Sequence, residues 1–355
     1  MTVRNRFGTA AAIALMTTVG AVLLSACGPN DADPKATATT APGTPGTAAT
    51  GTSAPGGPAR PSGPGTGGAT TPAAKEVNGT SAANHLTIST GTQTVAMNGT
   101  TVDFGTVVRD LAWSPDGKKA AFVNGSGDLV VANPDGSGKV VLAKNPGGET
   151  WSHPSWQHAK PMPGQDVPEA NERFNTIVFA AAKGNVLRLE KIATKAVGGT
   201  PEVLTPHSSE GGDESMPQPP ETGNTWPNTG GQRGEIAYAN TPANKVYIYD
   251  DYIRPATREL ATGSQPALSP DGEHLVFVRS VNGHDHLFSR STQWDQKAEK
   301  DLTPAAATDY TEPVWSPDGK TLAARTPDGI STLPADGSAA PVQVSTVKGL
   351  PAYRP

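Results

Sequence analysis

The side chains best equipped for chemistry lie far apart along this 355-residue sequence: Asp110, Trp151, His153, Glu214, Gln265, Tyr310 and Glu312. Three of them precede a proline directly, in His153-Pro154, Gln265-Pro266 and Glu312-Pro313, and Asp110 holds the same place before Leu111. Trp151, Glu214 and Tyr310 stand three residues before Pro154, Pro217 and Pro313. Brought together, three carboxylates, an imidazole, an amide and two flat aromatic faces suit a cationic peptide segment, a sugar or a metal ion. The alternative is that the same set is a solvated rim with no ligand.

Other constellations are weaker. His284-Asp285-His286 puts two imidazoles two residues apart, which share a face only if a strand starts that early, and no third ligand stands nearby. Glu210-Gly211-Gly212-Asp213-Glu214 offers oxygens to calcium but departs from the EF-hand spacing. A Gly-x-Ser-x-Gly nucleophile elbow is missing from the folded part. The expectation is a chain without catalytic residues, metal or cofactor. An envelope enzyme acting on a glycan or peptide is the alternative.

Chemistry of another kind is written at the N-terminus. Arg4 and Arg6 precede an apolar run, 10–24, too short for a stable membrane span. The run ends at Leu24-Ser25-Ala26-Cys27, and Cys27 is the only cysteine. That ending resembles the bacterial lipobox. The resemblance implies cleavage after residue 26, acylation of the Cys27 thiol, and a lipid anchor on the extracytoplasmic face of the cell membrane. Residues 27–82 are rich in Ala, Thr, Gly, Pro and Ser and hold almost no large apolar side chain, so a disordered linker is expected. Fifty such residues have an r.m.s. span of roughly 40 Å.

The elements that must position the scattered site residues repeat. Leu111-Ala112-Trp113-Ser114-Pro115-Asp116-Gly117 returns as Ala267-Leu268-Ser269-Pro270-Asp271-Gly272 and as Val314-Trp315-Ser316-Pro317-Asp318-Gly319. Ser, Pro, Asp and Gly suit the successive positions of a type I turn with a left-handed glycine, which joins antiparallel strands. The slot before the turn is filled at Trp113, Trp156, Pro219, Leu268, Trp315 and Tyr353, at spacings of 43, 63, 49, 47 and 38 residues. That is close to the ~40–50 residues of a four-stranded propeller blade. The second and third copies lack the Asp-Gly turn, and insertions are expected at 158–174 and 220–233.

Three strand-like runs follow each anchor. The last anchor, in 350–355, has nothing after it, and three unclaimed runs begin at His85. A blade combining both termini would close the ring and leave no open edge. The fold class expected is therefore all-β, a six-bladed β-propeller over 83–355. The turn, the upstream proline and six such units resemble the TolB-type propeller repeat, without a counterpart of the TolB N-terminal domain.

In this alignment the residues before the proline slot line the channel mouth: Asp110, His153, Met216, Gln265, Glu312 and Leu350. Arg109, Trp151, Glu214 and Tyr310 stand behind them. Loss of Arg4 and Arg6 leaves 26 basic against 33 acidic side chains and no basic stripe, which argues against nucleic acid. The function expected is a binding or scaffold module of the cell envelope, monomeric, with an envelope protein or cell-wall ligand as partner.

Overall fold

The computed structural model describes residues 77–159, 175–208, 218–250 and 256–355. The signal, Cys27 and the linker to residue 76 lie outside the described residues. So do Glu214, Met216, the acidic run 210–214 and most of the insertion at 158–174.

All described strands pair antiparallel, in six sheets of four. The first three, β1 (Leu86–Ser89), β2 (Thr94–Met97) and β3 (Thr100–Asp103), wait for a fourth from the far end of the chain. Blade 1 is β4 (Arg109–Trp113), β5 (Ala120–Val123), β6 (Leu129–Ala132) and β7 (Val140–Ala143). Blade 2 is β8 (Glu149–Gln157), β9 (Thr176–Lys183), β10 (Val186–Ala193) and β11 (Glu202–Leu204). Blade 3 is β12 (Asn224–Gly230), β13 (Glu235–Asn240), β14 (Lys245–Asp250) and β15 (Ala256–Thr262). Blade 4 is β16 (Ser264–Leu268), β17 (His274–Val281), β18 (His284–Ser291) and β19 (Glu299–Asp301). Blade 5 is β20 (Thr311–Trp315), β21 (Thr321–Thr326), β22 (Gly329–Pro334) and β23 (Val342–Ser345).

The last strand, β24 (Leu350–Tyr353), pairs with β1 and completes blade 6, with Leu86 opposite Tyr353 and Ser89 opposite Leu350. The inner strands β4, β8, β12, β16, β20 and β24 touch in that order, and β24 touches β4 again. The ring is closed, as the repeat requires. The chain engages it from Val77 onward: the Thr346 N–H donates to the Val77 carbonyl at 2.9 Å, and the Gly99 N–H to Thr80 Oγ1 at 3.0 Å.

The Asp-Gly turns are built as their residue types dictate. In the first, the Gly117 N–H donates to the Ser114 carbonyl at 2.8 Å, the Ser114 hydroxyl to Asp116 Oδ1 at 2.7 Å, and the Lys119 N–H back to Ser114 Oγ at 2.9 Å. The turns at 269–274 and 316–321 repeat these bonds. Apolar side chains fill the spaces between blades. Phe122 packs with Phe104 and Trp113, Phe179 with Trp151 and Leu129, and Phe277 with Leu268 and Ile248.

One expectation about register is overturned. The third inner strand is not anchored at Pro217 and Pro219. It is β12, inside the stretch 220–233 expected as an insertion, so the proline slot is Pro227 and the anchor slot Thr229. The spacing could have shown this. Pro266 and Pro313 each stand eight residues before the next strand, and so does Pro227 before Glu235.

Candidate functional site

Five of the six inner strands share a distortion that builds the site. In β4, β8, β12, β16 and β20 the pairing with the second strand slips by one residue. The residue at the slip is a β-bulge residue with a positive φ: Asp110 at 55°, His153 at 52°, Trp226 at 48°, Gln265 at 49° and Glu312 at 51°. None is a glycine, so each costs on the order of 1 kcal/mol of backbone strain. β24 carries no slip, and Leu350 takes the sixth place.

These six residues enter one cavity of about 400 Å³, which is the upper channel. Its wall continues down the inner strands through Pro154, Pro227, Pro266, Pro313 and Pro351 to the Asp-Gly turns. Asp110, His153, Gln265 and Glu312 thus converge as expected. Trp226 joins them unexpectedly, because Pro217 competes in the sequence with Pro227 for the proline slot of β12.

Trp151 and Tyr310 are corrections. Trp151 is only 2% exposed, packed against Phe179 at 5.0 Å between ring centroids, and its indole N–H donates to Glu149 Oε2 at 3.0 Å. Tyr310 is half-buried against the core between blades 4 and 5, and burial raises its phenol above the ordinary value. Both stand two residues before a bulge residue. Strict alternation would send them into the channel with it, but the bulge breaks the alternation and turns that slot into the core. Val108 and Asn224 occupy the same slot, each 0% exposed.

The mouth side chains bond to one another around and across the ring. The His153 N–H donates to Asp110 Oδ2 of the neighbouring blade at 3.1 Å, and the Glu312 N–H to Gln265 Oε1 at 2.6 Å. His153 Nε2 lies 3.3 Å from Glu312 Oε1, and the Trp226 indole N–H donates to the same oxygen at 3.2 Å. The Trp226 ring stands edge-on to the imidazole with centroids 5.9 Å apart. Burial disfavours the imidazolium of His153. The hydrogen bond and charge of Glu312, with the charge of Asp110, outweigh burial and hold the imidazole above its ordinary pKa. His153 Nδ1 is buried without a hydrogen-bond partner among the described residues.

Elsewhere, β18 begins early enough for His284 and His286 to share a strand, but each is held by its own aspartate. His284 Nδ1 lies 3.3 Å from Asp309 Oδ1 and His286 Nδ1 2.9 Å from Asp301 Oδ2. Among the described residues no three His, Cys, Asp or Glu side chains converge on a point where a metal ion would sit.

The architecture has relatives among solved structures. TolB from Acinetobacter baumannii superposes with a TM-score of 0.51 at 17% identity, over 76% of this chain and 66% of that one. This chain therefore spans just under two thirds of TolB. A chain of a nidogen/laminin complex superposes with a TM-score of 0.50 at 13% identity, over 76% of this chain and 98% of that one. At such identities the likeness is one of fold. No curated protein matches in sequence. The chain is a six-bladed β-propeller of TolB-like fold, and its residues 84–203, which span the first strands of blade 6 and blades 1 and 2, match the family of the lipoprotein LpqB β-propeller domain.

Proposed function

We propose that this propeller is a recognition module of the cell envelope, held at the membrane through a lipid on Cys27, with the channel mouth as its working surface. The observation that carries the reading is the bulge shared by five inner strands. Left-handed, non-glycine residues are costly, and cost repeated at one level of the ring points to a site rather than to packing. The match of 84–203 to a lipoprotein propeller family supports the envelope setting.

The mouth is better suited to binding than to covalent chemistry. His153 Nε2 is engaged by Glu312. The wall hydroxyl of Ser155 is engaged by Thr229: its Oγ accepts the Thr229 N–H at 2.9 Å. Trp226 supplies the flat apolar area typical of interface hot spots, and Asp110 and Glu312 add negative potential at the funnel.

The test is capture of the native envelope partner from solubilised membranes. Asp110→Asn with Glu312→Gln should weaken capture at least tenfold, while Lys118→Ala with Lys320→Ala in the Asp-Gly turns on the opposite face should leave it unchanged. The reverse pattern would place the working surface on the turn face and overturn the assignment.

A further inference from the structure

The channel mouth is barred. His153 belongs to blade 2 and Glu312 to blade 5, which stand opposite in a ring of six, and their side chains meet over the cavity. Glu312 Oε1 only accepts, so the imidazole presents an N–H at Nε2 and Trp226 presents its indole N–H beside it. Glu312 is thus the shared acceptor of two donors from two other blades. Its own N–H is fixed by Gln265, and the His153 backbone is fixed by Asp110. Nδ1 is left over, buried and unpartnered, as a lone pair in the neutral ring and as a stranded N–H in the charged one.

We propose that the mouth selects a cationic group, a guanidinium or a primary ammonium, which takes Glu312 from His153, and that the His153–Glu312 strut excludes such a group while the imidazole is protonated. The inference rests on the mouth being the working surface. The charged groups facing His153 are Glu312 on β20 and Asp110 on β4. β12 contributes Trp226, β16 Gln265 and β24 Leu350, none of which carries charge. With the imidazole charged, these three ionisable groups sum to −1 and Glu312 is satisfied. With it neutral they sum to −2, and the bond holding Glu312 is weak. Proton and cation therefore compete for one carboxylate, and the strut opens as pH rises through the raised midpoint of His153. Apparent affinity for a cation should climb about tenfold per pH unit below that midpoint and level off above it.

Two measurements on the mature chain test this. In the first, without added ligand, the imidazole signals are titrated by NMR, His153 being assigned by its loss in His153→Gln. Its midpoint should lie above that of an exposed histidine and fall in Glu312→Gln. Gln265 shows that glutamine fits this bulge position, so both variants keep the backbone. In the second, the Trp226 indole N–H reports titration with N-acetylarginine amide, against N-acetylcitrulline amide as the neutral isostere, at low salt. The arginine derivative should bind with the stated pH dependence, and the citrulline derivative at least tenfold more weakly. His153→Gln should flatten the profile, and Glu312→Gln should cost at least tenfold. Equal binding of citrulline, or a pH profile that survives in His153→Gln, would overturn the proposal. Should His153 titrate as expected while arginine never shifts Trp226, the selectivity fails and partner capture at the mouth still stands. Should arginine bind as stated while the mouth variants capture the partner normally, the reading of the working surface fails and the selectivity stands.

Discussion

At the scale of the residue, the anchor slot does more than fill space. The Trp156 indole N–H donates to the carbonyl of Ala112 in the preceding blade at 3.1 Å, and Trp315 does the same to Ala267 at 3.0 Å. Each acceptor is the residue just before the anchor slot of its own blade. At the composite blade the corresponding acceptor is Ala352, and the stitch is made through a relay. The Trp113 indole N–H donates to Thr87 Oγ1 at 2.9 Å, and the Thr87 hydroxyl donates to the Ala352 carbonyl at 2.9 Å. Thr87 and Trp113 are both buried. Thr87→Val keeps the shape, removes the hydroxyl and strands a buried indole N–H, which costs about 1–3 kcal/mol. Thr87→Ser keeps the relay and should cost less. Urea midpoints of the two variants check this, and equal midpoints would show that the hydroxyl is not the link. The tryptophans are legible as a repeating slot, but the relay is not, because its final acceptor, Ala352, comes from the other end of the chain and no spacing rule connects it to Thr87 and Trp113.

At the scale of the element, the three Asp-Gly turns read alike in sequence and differ in what they meet. Gly117 and Gly319 have φ values of 65° and 71°. A Cβ at Gly319 would find only Pro270 Cδ at 3.8 Å, whereas one at Gly117 would lie 2.3 Å from the Pro355 carbonyl oxygen. The chain end is seated on that turn: the Arg354 Nε–H donates to the Gly117 carbonyl at 2.8 Å, and the guanidinium lies 5.2 Å over the Trp113 ring. Gly319→Ala should therefore cost about 1 kcal/mol, the left-handed penalty alone. Gly117→Ala should cost at least twice that, because the C-terminal seat must also move. Removing Pro355 should bring the two alanine costs together. Thermal unfolding of the two variants and their parent, each with and without Pro355, decides it, and identical costs with Pro355 present would show that the seat yields freely.

Legibility had its limits at this scale too. Blades with the Ser-Pro-Asp-Gly turn announced their inner strands. Blade 3 carries Thr229-Gly230-Gly231 where that turn would be, and an earlier X-Pro pair at 216–217 imitated its entrance. The bulge itself has no sequence signal beyond a polar or aromatic residue before a proline or, at Asp110, before a leucine, so nothing in the sequence shows that Trp151 and Tyr310 turn into the core.

At the scale of the whole molecule, closure depends on seven residues. β24 gives blade 6 its inner strand, with Leu86, Thr87, Ile88 and Ser89 opposite Tyr353, Ala352, Pro351 and Leu350. It also touches β20 and β4 on either side, so its loss opens the ring as well as thinning one sheet. The His85 carbonyl accepts the Arg354 N–H at 2.9 Å, which ties the residue before β1 to the residue after β24. Deleting 349–355 removes that ladder, the acceptor of the Thr87 relay and the seat on Gly117 together. It also leaves β1 as a bare edge in a blade of three strands, the arrangement that invites association with other chains. The loss should be several kcal/mol. At roughly 2–4 °C per kcal/mol for a domain of this size, the midpoint should fall by about 10 °C or more. Scanning calorimetry of the truncated protein, with light scattering to follow association, measures both consequences. A melting temperature equal to that of the full chain would mean that β4 and β20 hold the ring without the strand between them.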